Sequence, residues 1–360
     1  MKTSFDMQKK YSSAELLLTE DLREIQSILS RLIKCGAVQR LHPQKVAELL
    51  SILSEQMKLA ERMKIQQNED TGGAKFQCII RALAALALSL QIMASGFTGV
   101  QNYREDLIVE LVDLLKFHLT QNVYAWFDPT RLHIYKVNAD AVNSVEGNDI
   151  VAQIPPCELK SGTSKRKNDV TVSHAPPTIS QVPLMLSDIL SATLLELSKV
   201  LRCICLSDAI ILQIVDLCIS SLAVEEMYLI QLNAVEVVAA AFECYPKHRG
   251  CILDRILVTF PKLPGNGRQS RRFMLPHDEN LSIQIVTAML MKCIQGSGPP
   301  LANTIAKNVS AATNYAAAFH WSHHFWKQLL IGWQSARAQE IDIKAMLQNT
   351  VQDLLTTLNM

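Results

Sequence analysis

Three groups of side chains in this sequence have types and spacing that could do chemistry. His320, His323 and His324 stand in the stretch AFHWSHHFW. On a helix, His320 and His324 would share a face, as imidazole ligands to zinc do. No Cys, Asp or Glu stands beside them and no HExxH pattern is present, so aromatic helix packing is the preferred reading. Gly265 to Ser270, GNGRQS, has the glycines of a phosphate cradle. It lacks the terminal Gly-Lys-Ser/Thr, and no strand is expected before it, so it reads as a loop. The third group is cationic: Lys247, His248 and Arg249 at a helix start, Arg268, Arg271 and Arg272 in a loop after Pro264, and Lys165, Arg166 and Lys167 in a long connector. Guanidinium and ammonium groups pair with phosphate oxygens or carboxylates. The first six are candidate DNA or partner contacts, and the linker triplet is a candidate nuclear-import patch.

No Walker loop, dinucleotide fingerprint or Gly-x-Ser-x-Gly elbow occurs. The expectation is therefore no catalytic residue, no cofactor and no metal. Thirty-five Lys and Arg against 34 Asp and Glu leave a net charge of +1, so attraction to nucleic acid would have to come from local patches. Nine cysteines lie mostly in apolar helical stretches without a Cys-x-x-Cys pair. They read as buried, reduced thiols of an intracellular protein. The N-terminus carries no apolar signal segment. The apolar run ALAALALSL, Ala82 to Leu90, is about half the length of a membrane span, so no membrane association is expected.

These groups need elements to position them. The chain is 49% hydrophobic but only 6% aromatic, and Leu, Ala, Glu, Lys, Gln and Met favour an all-α fold. Periodicity predicts helices over residues 13–33, 45–67, 74–94 and 103–124. Between Phe127 and Val182 no helical period persists, and Pro, Ser and Asn are frequent. At least part of that stretch is expected to be disordered. Helices resume over residues 184–204, 208–221, 225–244, 247–260, 279–295, 301–330 and 338–358. Asp278 and Asn280 read as caps for the helix that follows them. This divides the chain into a helical block over residues 1–126, a linker over 127–182 and helical repeats over 183–360. Helix pairs recurring at about 40 residues describe an irregular HEAT or armadillo-type α-solenoid with a long, partly disordered insertion.

Three collinear stretches carry a family resemblance. QLNAVEVVAAAFECYPKHRGCIL, from Gln231, is followed by the basic loop ending RRFML and by IQIVTAMLMKCIQ, from Ile283. Upstream lies DLIVELVDLLKFHLTQNVYAWFDPTRLHIYK, from Asp106, and near the end NTVQDLLTTLN. Together they resemble the Nipped-B (adherin) family, the large HEAT subunit of the cohesin loader. The matching elements are Tyr245, Lys247-His248-Arg249, Leu263-Pro264, Ile283-Gln284 and Val286-Thr287-Ala288.

The resemblance implies a nuclear scaffold for sister chromatid cohesion. It would bind cohesin subunits by its helix faces and DNA or chromatin by basic loops. It would promote cohesin loading and stimulate cohesin's ATPase without an ATPase of its own. The family also binds a smaller TPR-like subunit, through a region upstream of the part matched here. Family members are much longer and end in a hook of repeats, so this chain is expected to be a fragment lacking that hook. The competing reading is a generic α-solenoid adaptor with no nucleic-acid role.

Overall fold

The computed structural model describes residues 17–65, 71–95, 105–127, 181–224, 227–259, 271–275, 278–296 and 348–353, with isolated positions 320, 323, 324 and 327. Helix α1 (Thr19–Lys34) shows how locally these elements are specified. The Leu18 N–H donates to the Asp21 carboxylate at 2.8 Å, tying down an amide that helix starts leave unsatisfied. One stripe, with Leu22 and Leu29, is buried. Gly36 then takes φ 62°, where a Cβ would be strained, and the chain turns away. Helix α2 (Pro43–Lys58) starts on proline, whose missing N–H costs nothing in a first turn.

Helix α3 (Ala74–Ala94) coincides with the predicted span and is buried on most of its circumference. By length and composition it could cross a membrane. The expectation that only a nine-residue run is apolar enough is therefore too narrow. Its apolarity has a local reason, because α3 packs against α1, α2 and the later helix α5 (Gln181–Cys203). Helix α4 (Glu105–Phe117) runs into a π-helical turn, His118–Val123, and one further helical turn, Tyr124–Phe127. The wide turn brings His118 and Asn122 inward, both fully buried. His118 Nε2 meets the Ala60 carbonyl at 3.1 Å and Nδ1 accepts from Asn122 at 2.8 Å. Asn122 also donates to the Met63 carbonyl and accepts from the Ile65 N–H. This network fastens the segment after α2 to α4.

After α5 come α6 (Asp208–Ser221), α7 (Tyr228–Cys244), a 3-10 turn (Pro246–His248) and α8 (Arg249–Thr259). Asn233 bonds to Ser191 across 42 residues, Arg202 to Glu243 across 41, and Arg255 to the Leu212 carbonyl across 43. These offsets make α5/α6 and α7/α8 successive parallel repeats. Cys203 reaches the Ala94 carbonyl, and Gln213 reaches Asp113, so α3/α4 stacks on α5/α6 in the same sense. Helices α1, α3, α5, α7 and α9 (Ile285–Gln295) form one layer, and α2, α4, α6 and α8 the other. One core runs through the stack from Leu22 to Cys293. The architecture is the expected irregular HEAT or armadillo-type α-solenoid. The predicted disordered linker falls on residues outside those described, apart from Phe127, Gln181 and Val182, which are helical.

One expectation fails. In place of a single helix over residues 279–295 there is a strand, β2 (Asp278–Gln284), leading directly into α9. It pairs antiparallel with β1 (Arg271–Leu275), with Phe273 opposite Ile283. The predicted basic loop therefore ends in a strand. Asp278 and Asn280, expected as helix caps, lie in β2. The helices expected over residues 301–330 and 338–358 fall mostly outside the described residues, with 348–353 helical.

Candidate functional site

The candidate cations divide by their surroundings. Pro246 opens the 3-10 turn after α7, and that turn sets Lys247 outward and the next two residues inward. Lys247 Nζ lies 2.7 Å from Asp208 Oδ2, with the lysine side chain 77% exposed. His248 Nε2 meets the other oxygen of the same carboxylate at 2.8 Å. The hydrogen bonds from Lys247 and then His248 hold the Asp208 carboxyl below its usual range.

Arg249 is buried. Its Nε donates to the Phe242 carbonyl at 2.8 Å, Nη2 donates to the Glu243 carbonyl at 3.3 Å, and the guanidinium lies over the Phe242 ring. It closes the C-terminus of α7, where carbonyls lack helical partners. The sequence placed all three residues together on a cationic edge. The structure puts only Lys247 broadly in solvent, already beside a carboxylate, while His248 and Arg249 face the repeat interior.

Arg271 and Arg272 open β1, not a loop. Arg268 and the Lys165-Arg166-Lys167 triplet lie outside the described residues. The hairpin is held to the stack from beneath. Phe273 packs with Ile283, Ala288 and Met291, and the Lys292 ammonium sits over the Phe273 ring while pairing with Glu236 of α7. Burial, then repulsion from Arg202, lowers the Lys292 pKa from its ordinary value. The start of α9 is capped from a distance. The buried Asp353 carboxylate accepts the Gln284 N–H at 3.0 Å and the Thr287 hydroxyl at 3.3 Å. The two sequence stretches IQIVTA and VQDLL are thus joined through one carboxylate. Sequence reasoning assigned Asp353 no role, and a partner 69 residues away leaves no local pattern.

Tyr245 was noted in the sequence as a motif residue only, yet it makes the cross-repeat joint. Its hydroxyl donates to the Ile204 carbonyl at 2.6 Å and accepts from the Leu206 N–H at 3.3 Å. The cysteine expectation also needs correction. Of the eight cysteines in described positions, all reduced, only Cys218 and Cys293 are buried; Cys35, Cys203, Cys205, Cys244 and Cys251 are exposed. An apolar stretch puts a cysteine on a helix but does not say which face meets a neighbour. Among the described residues no group of three or more His, Cys, Asp or Glu side chains is placed to hold a metal ion, and His320 and His323 are exposed.

No protein-family model matches the chain. The Nipped-B-like proteins of Mus musculus and Homo sapiens are each 26% identical to it over 371 residues, covering 96% of the chain but only 12% of their own length. The Nipped-B protein of Drosophila melanogaster is 21% identical over 390 residues, covering 99% of the chain and 17% of its own length. Among solved structures, the C-terminal fragment of the Chaetomium thermophilum cohesin loader SCC2 superposes with a TM-score of 0.66 at 17% identity. That match covers 95% of the chain and 25% of the fragment.

Proposed function

We propose that this chain, which resembles a section of Nipped-B-family proteins along nearly its whole length, acts as a non-catalytic scaffold in cohesin loading. It would bind cohesin subunits along its helical layers and promote cohesin engagement with chromatin in the nucleus. The observation that carries the reading is the agreement of two independent likenesses over one span. Sequence similarity to Nipped-B-like proteins and structural similarity to a cohesin loader fragment each cover 95% or more of the chain. The local geometry suits a scaffold. Asp353 and Tyr245 tie distant parts of the stack together, and Arg249 closes the end of α7 within its own repeat. The test is co-purification of the tagged chain with cohesin subunits from nuclear extract, followed by binding to the purified subunits. Absence of any cohesin subunit from both would overturn the proposal.

DNA contact is a separate proposal, assigned to Lys247, Arg268, Arg271 and Arg272. Charge reversal of the three arginines should weaken duplex binding and flatten its salt dependence, since each lost phosphate contact removes counterion release. Equal binding across a salt titration would remove the DNA role. For nuclear import, changing Lys165, Arg166 and Lys167 to alanine should leave a fused fluorescent reporter in the cytoplasm. The smaller TPR-like subunit is proposed to bind outside the matched section. The generic adaptor reading keeps one observation in its favour: Asp208 offsets Lys247, and Arg249 faces inward. Under that reading the same co-purification would return partners other than cohesin.

A further inference from the structure

Helix α1 begins the layer that α3, α5, α7 and α9 continue, and among the described helices it packs chiefly on α3. Leu22 and Leu29 form its buried stripe. A second line runs beside that stripe. Leu18, Asp21, Ile25, Ile28, Leu32 and Cys35 follow one another at steps of three and four residues, the spacing of a coiled-coil seam. This line is only partly covered. Leu18 is 59% exposed and Ile28 41%, Ile25 and Leu32 are half-buried, and Cys35 is exposed. Asp21, the polar residue in the seam, turns its carboxylate back to the Leu18 N–H. Charge along the helix is ordered as well. Glu20, Asp21 and Glu24 stand in the first half, Arg31 and Lys34 in the second, and all five are exposed. Among the described residues none of the five is in an ion pair. Arg23, the cation of the acidic half, falls on the side of the helix away from the seam.

We infer that two copies of this chain pair through α1, antiparallel and about a two-fold axis. This goes beyond the scaffold reading and does not depend on it. With the axis between residues 26 and 27, Ile25 meets the partner subunit's Ile28, and Leu18 meets the partner subunit's Cys35. Asp21 falls opposite the partner subunit's Leu32 and, as a polar seam residue, disfavours other registers. Beside the seam, Glu24 faces the partner subunit's Arg31, and Glu20 faces the partner subunit's Lys34. The two-fold makes each contact twice, so the surface is self-complementary. Charge order selects this occupant. A partner helix of uniform sign would be repelled by one half of α1, and a parallel copy would set like charges side by side. A reversed copy answers both halves. One helix face per copy falls below the ~1,600 Å² of a standard interface, so the pairing is a weak, reversible dimer. It would join two solenoids at their first ends into one longer scaffold.

The test is sedimentation velocity of the full chain over a wide concentration range. The expected result is a monomer–dimer equilibrium that Ile28→Glu abolishes. Glu24→Arg and Arg31→Glu should each weaken the dimer at least about tenfold, because each sets like charges opposite one another twice. The double variant restores opposite signs and should restore the dimer. All these positions are exposed, so helix content by circular dichroism should not change. Orientation is read by mild oxidation of Leu18→Cys, followed by trypsin digestion without reduction. Cleavage after Arg23, Lys34 and Arg40 puts position 18 and Cys35 in separate peptides. Within one copy the two positions are about 26 Å apart along the helix, far beyond disulfide reach. A peptide linked from position 18 to Cys35 therefore reports an antiparallel pair of copies. A chain that stays monomeric at every concentration would overturn the inference. So would a dimer indifferent to Ile28→Glu, a double variant as weak as the single ones, or Cys35 linked mainly to the partner subunit's Cys35.

Discussion

Tyr245→Phe isolates the joint between repeats. The substitution removes one oxygen and keeps the half-buried ring. The hydroxyl donates to the Ile204 carbonyl at 2.6 Å and accepts from the Leu206 N–H at 3.3 Å. The first bond is short and the second long, so their contributions are unequal. A net ~1 kcal/mol for an ordinary hydrogen bond, plus part of the ~1–3 kcal/mol for stranding a partly buried group, gives ~2 kcal/mol for the pair. The cost is local, because residues 204–206 connect two helices and have no ladder of their own. Backbone hydrogen exchange reads it directly. At ~1.4 kcal/mol per factor of ten, the Leu206 amide should exchange at least about tenfold faster in the variant. Amides in the middle of α3 should be unmoved. Urea unfolding should show the midpoint falling with an unchanged slope. A Leu206 amide exchanging within twofold of the parent would refute the assignment of Tyr245 as the joint.

Three further outcomes follow from buried polar groups. Asp353→Ala should cost ~2–4 kcal/mol and expose the first turn of α9 to hydrogen exchange, whereas Asp353→Asn, which keeps an acceptor, should cost less; equal protection of residues 284–287 in both variants and the parent would refute the remote cap. His118 is pushed down to about 4 by burial, against the weaker opposing pull of the Ala60 carbonyl. Its neutral form is therefore the folded one, so its contribution is full above the unfolded value near 6.5 and is lost as pH falls toward 4, up to ~3 kcal/mol. His118→Gln should flatten that part of the stability–pH curve, and an unchanged slope between pH 6.5 and 4 would count against it. Burial pushes the Cys293 thiol up to about 12 and Cys218 higher still. Iodoacetamide should then label Cys35 and Cys251 in the folded chain and reach Cys218 and Cys293 only after denaturation.

What could be read in advance follows the range of the forces involved. Helices α3 and α6 match their predicted spans because a long apolar run and its flanking turns are local signals. The β-hairpin was missed for the opposite reason. Asp278 and Asn280 look like helix caps in isolation, but pairing with β1 keeps residues 278–284 extended, and Asp353 supplies the cap at Gln284 instead. The basic triplet shows the same limit. Three adjacent cations read as one exposed cluster, yet a 3-10 turn points successive residues in different directions, and the carbonyls ending α7 attract Arg249 inward. The candidate site was thus legible as composition, and its geometry depended on neighbours distant in sequence.

The offsets between bonded residues also explain how the stack continues past the interrupted middle of the chain. Between α5/α6 and α7/α8 the polar links join residues 39 to 43 apart. Between α3/α4 and α5/α6 the corresponding links, Cys203 to Ala94 and Gln213 to Asp113, span 109 and 100 residues. The second interface therefore absorbs roughly sixty additional residues while keeping the parallel stacking of the first. Such insertion is inexpensive in a quasi-one-dimensional fold, because each repeat touches only its neighbours and a longer connector adds little closure entropy. The π-turn at His118–Val123 stands just before that connector, and Asn122 there anchors the chain back to Met63 and Ile65.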